Sequence, residues 1–395
     1  MSVINESASD ASECWFGYDD LSSWIDSLLF GQCRSGFSVH EDHEGLDLRV
    51  DKPRSAQDAC PLFYQLSDQV FYLAVADGLG GSGLSEIDAD GKIFNHAFLA
   101  SRAAISTLKH EAIPWIERNL KQQKGMADDL ESSLGEVFYR QLSRLMSAFD
   151  ERGYSIEGLM GGIIKNLPTT LSFARIEKHD NGQYRIDTFN CGDSRIYLLE
   201  PPERGGAALL TSDDAETGEK EWDALDAIYE DMPMTKVLSA DQPVSMTHHQ
   251  FDVPGKSIIA ACSDGFHHYF SSPSGFEHRI LEAIKETEKV SSSYHRLTGM
   301  SQHLFSVCFN NLHDDTTLVL RCLDFQEKQL LDIFRPPEIS KRLDVLTPSL
   351  AGQQQAKEYW VKQKTTFNRY LDAGKTAKNQ GNPANEKNIE QVPVP

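Results

Sequence analysis

An apolar run, Phe71-Tyr72-Leu73-Ala74-Val75-Ala76, ends on Asp77-Gly78-Leu79-Gly80-Gly81, a carboxylate followed by glycines. A strand buried over that length holds its last residue rigidly, and the glycines let backbone carbonyls and a bound anion approach the same point. The pattern recurs where Lys256 to Ser263 leads into Asp264-Gly265, and again where Asp314-Asp315 opens Thr316-Thr317-Leu318-Val319-Leu320. Carboxylates at the ends of three sequence-distant strands point to one oxygen-ligand metal centre assembled by the fold. Such a hard donor set suits Mg2+ or Mn2+ and disfavours softer metals. A carboxylate that bridges two ions about 4 Å apart lets them share a hydroxide, and the same ions can hold the oxygens of a phosphate ester, so no nucleophilic side chain is required. Taken singly, an Asp-Gly pair is an ordinary turn, and Asp193 or Asp315 could simply order the chain beside its strand. The joint occurrence carries the inference.

The elements that must position these residues are legible in outline. Strand patterns rich in β-branched and aromatic residues fall at 70–76, 169–176, 184–190, 195–199, 257–263 and 316–322. Between the third and fourth, Asn190-Cys191-Gly192-Asp193-Ser194 reads as a tight hairpin turn. Helical spacing covers Ile93 to Leu120, with a break expected near Pro114, then Leu130 to Phe149, and then Phe276 to Phe305. Strands, a helix pair and strands again predict a sheet-rich core flanked by helices, not the regular alternation of a doubly wound fold. Past Phe325, Pro336-Pro337 and Pro348 are expected to break the chain. A helical stretch carrying Ala356, Trp360, Phe367 and Leu371 follows, suited to dock on the body or to bind a partner. The expected organisation is an N-terminal extension over 1–44, a main domain over 45–325, a helical extension over 326–373 and a disordered tail over 374–395. Trp15, Trp24, Leu28, Leu29 and Phe30 predict a short helix within the N-terminal extension.

The bulk numbers exclude several classes. The chain has 395 residues, 40% hydrophobic and 25% charged, and no apolar run approaches the roughly eighteen residues a membrane-spanning helix needs. Glu6, Asp10 and Glu13 leave no basic or apolar region for a secretion signal. Seven cysteines, without CxxC spacing, read as reduced thiols of a cytoplasmic protein and not as a zinc site. A net charge of −21 repels nucleic acid and anionic membrane while attracting divalent cations and basic peptides. The stretch Asp213 to Asp231 alone holds nine carboxylates against Lys220. The pairs His40 with His43, His248-His249 and His267-His268 are not expected to hold an ordered metal, because the carboxylates suffice. His267 is placed to contact a substrate.

In order along the chain, Ala76-Asp77-Gly78-Leu79-Gly80-Gly81, Cys191-Gly192-Asp193-Ser194-Arg195, Cys262-Ser263-Asp264-Gly265-Phe266 and Asp314-Asp315-Thr316-Thr317 resemble the signature set of the metal-dependent protein phosphatases of type 2C. Gln57-Asp58-Ala59 resembles the element that opens that family's domain. Pro168-Thr169-Thr170-Leu171 is similar to its small-residue strand start, and Leu210-Thr211-Ser212-Asp213-Asp214 to its Leu-Thr-x-Asp-His stretch. The resemblance covers roughly residues 45 to 323. It implies an α+β fold, a four-layer α-β-β-α sandwich with two central antiparallel sheets and a metal cleft at one end. It also implies two Mn2+ or Mg2+ ions, with a third and weaker one in some members.

By position, the resemblance implies that Asp77 bridges two metals, that Gly78 offers its carbonyl to one, and that Asp264 and Asp314 hold the other. Asp58 would orient metal-bound waters, and Asp193, with Asp264, matches the third site. The implied activity is hydrolysis of phosphoserine and phosphothreonine in proteins by a metal-bridging hydroxide, by a monomer whose partners are a phosphorylated protein and a cognate kinase. The acidic stretch falls where the family carries its flap, a charge that favours basic phosphopeptides. Departures matter as well. The family's phosphate-binding Arg falls on Pro53, so Arg54, one place away, is the candidate. Gln57 stands where many members have Glu, Asp315 replaces the usual Asn, and Leu79 is the kind of residue bacterial members carry. Gln57 and the displaced Arg54 support an alternative, a pseudophosphatase that binds a phosphoprotein or partner kinase without turnover.

Overall fold

The computed structural model describes residues 45–50, 57–80, 83, 85–89, 92–122, 127–152, 155–157, 165–214, 234–267, 273–292, 296, 299–300, 303–304, 315–325, 327–347 and 353–371. Arg54, Asp314, the N-terminal segment and most of the acidic stretch lie outside them.

Three early strands, β1 (Gly45–Val50), β2 (Leu62–Gln65) and β3 (Val70–Val75), precede a small hairpin of β4 (Glu86–Ala89) and β5 (Lys92–Asn95). Helix α1 (His96–Thr107) runs through a π turn (Leu108–Ala112) into α2 (Ile113–Gln122), and α3 (Ala127–Glu151) follows. Next come β6 (Ser155–Glu157), β7 (Leu171–Lys178), β8 (Gln183–Cys191), β9 (Arg195–Leu199), β10 (Ala207–Leu209), β11 (Thr247–Pro254) and β12 (Ser257–Cys262). A one-turn helix α4 (Asp264–His267) and α5 (Pro273–Glu286) lead to β13 (Thr316–Leu323) and the final helices α6 (Leu330–Ile333), α7 (Pro336–Leu346) and α8 (Gln353–Phe367).

The strands form two five-stranded sheets, ordered β1-β13-β12-β9-β10 and β11-β8-β7-β3-β2, with β5-β4-β6 as a small third sheet. Every pairing is antiparallel. The central strands read as unbroken apolar runs because both of their faces are covered. On β3, Tyr72 and Ala74 point into a cluster with Leu99, Ala103, Ile116, Leu134 and Phe138 from the helices. Phe71, Leu73 and Val75 point the other way, into a second cluster with Ile196, Leu198, Ile259 and Val319 of the opposite sheet. A third cluster joins Tyr197, Ile258, Ala260 and Leu320 to Phe276 and Ile280 of α5 and to Ile339 and Phe367 of the C-terminal helices. Among the described residues no helix is long and apolar enough to cross a membrane.

Several sequence expectations are corrected. Asn190–Ser194 is not a hairpin turn: β8 pairs with β7 and β11, whereas β9 pairs with β10 and β12, so the turn carries the chain from one sheet to the other. Gly192, at φ +102, makes that corner. Helix α1 begins at His96 and not at Ile93, because 92–95 pair with β4 and Asn95 caps the helix, its side chain accepting from Phe98 N–H at 2.6 Å. The interruption expected near Pro114 is the π turn just before it, and the proline is not its cause. Ile113 N–H donates to Leu108 O across the π turn, and Pro114 then sits in a first helical turn, where it is tolerated. Pro336-Pro337 opens α7 instead of breaking the chain, proline being well suited to the first helical positions. The third helical stretch is interrupted: its helix ends at Glu286 in a 3-10 turn, and helical residues return at Arg296, Gly299, Met300, His303 and Leu304.

The C-terminal stretch docks on the body. Phe367 is fully buried in the third cluster, Leu371 reaches the cluster between the sheets, and Tyr370 meets Phe251 of β11 edge-on at 5.8 Å. Arginines fasten the same stretch. Arg342 makes a two-pronged pair with buried Glu277 at 2.7 and 2.8 Å, Arg335 bonds Glu203, and Arg369 bonds Glu200.

Candidate functional site

Asp77 leaves the end of β3 in one sheet, and Asp264 leaves the end of β12 in the other. Asp58 lies between them. Its neighbour Ala59 donates to Ala76 O at 3.0 Å, while its own Oδ2 accepts from Ser263 Oγ at 2.8 Å and Thr317 Oγ1 at 2.6 Å. Ser263 and Thr317 are themselves cross-linked, Ser263 N–H donating to Thr317 O at 3.0 Å and Thr317 N–H to Ser263 Oγ at 2.9 Å. Asp58, only 2% exposed, is thus tied to both sheets at their shared end. The Asp77 carboxyl lies against those of both Asp58 and Asp264. Asp193, at the corner between β8 and β9, is within electrostatic reach of Asp264. The structure therefore brings together Asp58, Asp77 and Asp264, with Asp193 beside them; Arg54 and Asp314 cannot be placed, lying outside the described residues.

The loop after Asp77 is held by its backbone. Asp77 N–H donates to Thr170 Oγ1 at 3.2 Å, and Asp77 O accepts from Thr169 Oγ1 and from Thr170 N–H, each at 2.7 Å. Gly78 is needed for close approach, since a Cβ there would stand 2.1 Å from Ala97 O and 2.9 Å from Gln57 O. The Gln57 amide fills the space beside Gly80, 2.4 Å from where a Cβ would sit, and Gln57 N–H donates to Asp315 Oδ2. The Asp193 corner is held from other sides. Thr170 Oγ1 shares a hydrogen bond with Ser194 Oγ at 2.8 Å, and Ser172 Oγ donates to Ser194 O at 2.6 Å. Arg195, fully buried, grips Asp213 with two bonds at 3.0 and 2.5 Å.

Burial dominates the electrostatics. It raises the Asp58 carboxyl from the ordinary 3.8 to about 7, although the hydrogen bonds from Asp77, Thr317 and Ser263 work against the rise. Burial, then repulsion from Asp58 and Asp264, pushes Asp77 well above the carboxylate range. Burial, then Asp264 and Asp213, does the same to Asp193, with Arg195 opposing. So many acids can ionise together in a low-dielectric site only with compensating positive charge. Asp193 Oδ1 is buried without a hydrogen-bond partner, and the donors are hard oxygens around a glycine-lined loop. This donor set fits a divalent cation of the Mg2+ or Mn2+ type. As the side chains stand, however, no three His, Cys, Asp or Glu among the described residues are grouped to hold a metal ion.

Sequence reasoning missed the groups behind the carboxylates. Ser263 and Thr317 flank the acidic motifs, so hydroxyls one or two places from the acids were the available signal. His267 does not face a substrate: it is 1% exposed, and its Nε2–H donates to Asp193 O at 3.0 Å. His248 stacks on Phe189 at 4.5 Å and bonds Asp187 at 3.3 Å, a structural role. Cys191, Cys262 and Cys322 are buried and Cys60 is half-buried.

No protein-family model matches the chain, and no curated protein matches it in sequence. Similar solved structures include bacterial serine/threonine phosphatases. One is PstP/Ppp of Mycobacterium tuberculosis, 18% identical with a TM-score of 0.43, the match covering 71% of this chain and 97% of that one. Another is the PstP catalytic domain in complex with two manganese ions, 20% identical with a TM-score of 0.42 and covering 71% and 97%. Stp1 of Staphylococcus aureus is 16% identical with a TM-score of 0.45, covering 74% and 98%.

Proposed function

We propose that the protein is a metal-dependent phosphatase of the type 2C kind, hydrolysing phosphoserine and phosphothreonine in proteins. The observation that carries this reading is the meeting of Asp58, Asp77 and Asp264, from positions far apart in sequence, at the shared end of two sheets. The three apolar clusters support a four-layer α-β-β-α arrangement with the site at one end. In this reading Asp77, the Gly78 carbonyl, Asp264 and Asp314 would hold two Mn2+ or Mg2+ ions, and Asp193 would serve a weaker third. When bound, such ions supply an activated water and offset charge on the phosphoryl oxygens.

The chain's own residues do the positioning. Thr169 and Thr170 fix the Asp77 main chain, so that its carboxyl and the Gly78 carbonyl share one locus. Asp58, immobilised by Ser263 and Thr317, holds a fixed acceptor behind the ligands. Arg54 is the candidate for binding the substrate phosphate, and a phosphorylated protein and its kinase are the expected partners. A binding-only pseudophosphatase is the second reading, favoured by the neutral Gln57 amide beside Gly80.

Hydrolysis of p-nitrophenyl phosphate in EDTA, Mg2+ or Mn2+ separates the two, with Asp77→Asn and Asp264→Asn as controls. Turnover that requires the cation and is lost in both folded variants is expected. Turnover retained in both would refute the metal assignment, and a folded wild type with cation but no turnover would favour binding alone.

A further inference from the structure

The corner that carries Asp193 is held by a group to which the proposed reaction gives no part. Asp214 grips the adjacent Gly192 at two points, its main-chain N–H donating to Gly192 O at 2.9 Å and its Oδ2 accepting from Gly192 N–H at 3.2 Å. Its other carboxylate oxygen pairs with Lys236 Nζ at 3.2 Å, and its carbonyl accepts from Thr235 N–H at 2.8 Å. Lys236 also reaches Thr247 Oγ1 at the start of β11, at 3.4 Å. The Asp214 side chain is only 9% exposed, whereas the Lys236 side chain that backs it is 38% exposed and reaches it from the surface.

Gly192 is where such a grip matters. It sits at φ +102, and a Cβ there would stand 2.7 Å from Thr170 Cγ2, so the corner needs glycine. Glycine, however, restrains its own backbone least of all residues. A rotation about its bonds would swing the next residue, Asp193, whose Oδ1 is buried without a hydrogen-bond partner. On the far side His267 and Ser172 hold the carbonyls of Asp193 and Ser194, and on the near side Asn190 Nδ2 reaches Gly192 O at 3.0 Å. Asp214 engages both polar atoms of Gly192. It also stands where the family resemblance places a histidine, so the carboxylate grip is this chain's own.

We propose that Asp214, backed by Lys236, is a positioning residue that presets the Asp193 carboxylate and thereby sets the affinity of the weakest divalent-cation site. The inference rests on Asp193 being a cation ligand. Asp214 itself touches neither substrate nor cation. Groups that orient ligands from behind typically change cation affinity by about 10- to 100-fold.

The test is Mn2+ binding without substrate, read by electron paramagnetic resonance of the free ion and by calorimetry, in wild type, Asp214→Ala, Asp214→Asn and Lys236→Met. Asp214→Ala is expected to weaken the weakest equivalent by about 10-fold or more and to leave the tighter ones unchanged. Asp214→Asn keeps an acceptor for Gly192 N–H and is expected to retain most of that affinity, with Lys236→Met falling between the two. Should Asp214→Ala not fold, Asp214→Glu, which displaces the carboxylate by one methylene, carries the same expectation. Weak-site affinity unchanged in Asp214→Ala, or Asp214→Asn as impaired as Asp214→Ala, would overturn the proposal. A wild type with no site weaker than the first two would overturn it while leaving the two-ion reading intact. A wild type that binds no Mn2+ would overturn both.

Discussion

Asp58→Asn offers a test of the site's electrostatics that does not depend on catalysis. With cations removed by EDTA, burial holds the Asp58 carboxyl at about 7 against an ordinary value of 3.8. Between those values the folded state carries a proton that the unfolded chain has lost. The stabilisation from that proton is fully present below about pH 4 and is lost as pH rises through about 7. At 1.36 kcal/mol per unit, the loss amounts to about 4 kcal/mol at pH 8. Asparagine has no charge to bury, and its one carbonyl oxygen can accept from both Ser263 and Thr317, which share a single oxygen of Asp58. Asp58→Asn should therefore match wild type near pH 4 and exceed it at pH 8 by up to about 4 kcal/mol. Urea unfolding of both proteins in EDTA, followed by fluorescence across that range, measures the difference. Equal pH dependence of the two, or a less stable variant at pH 8, would refute the claim that this carboxyl is held ionised at a cost.

The buried Arg195–Asp213 pair gives a second prediction. Arg195→Met should cost about 3–5 kcal/mol by stranding a carboxylate that is 7% exposed, and Asp213→Leu added to it should restore much of the loss; a loss below about 1 kcal/mol by urea unfolding would contradict the assignment. The C-terminal helices give a third. Phe367→Ala should destabilise the whole protein by about 3–5 kcal/mol, and truncation after Asp324, which uncovers one face of the β9, β12 and β13 sheet, should abolish cooperative thermal unfolding. A truncated protein with wild-type circular dichroism and melting behaviour would show that the stretch is dispensable.

Among the described residues, much of the strand pattern is legible in the sequence. Strands covered on both faces must be apolar throughout, and β3, β12 and β13 announced themselves in that way. Helix and turn boundaries were less legible. Asn190–Ser194 has the composition of a hairpin turn, and nothing local distinguishes a turn that returns to its own sheet from one that crosses to another. The strand pattern at 92–95 was absorbed into the helix after it, because Ile93 and Phe94 suit both, and only the pairing with β4 separates them. Pro336-Pro337 looked like a break because proline ends and begins helices equally well.

For the candidate site, the sequence by itself determined the acids, the glycines and the order of the motifs, because hard-cation chemistry demands those residue types and strand ends announce where they sit. It could not tell which groups stand behind them. Ser263 and Thr317 on Asp58, His267 on the Asp193 carbonyl and Asp214 on Gly192 link residues up to 259 positions apart, as from Asp58 to Thr317. Hydrogen bonds of that kind leave no periodicity in a chain. Tertiary structure alone decided them, since it is the packing of two sheets face to face, with strand ends meeting at one edge, that brings their termini, and the hydroxyls and carboxylates those termini carry, within bonding distance.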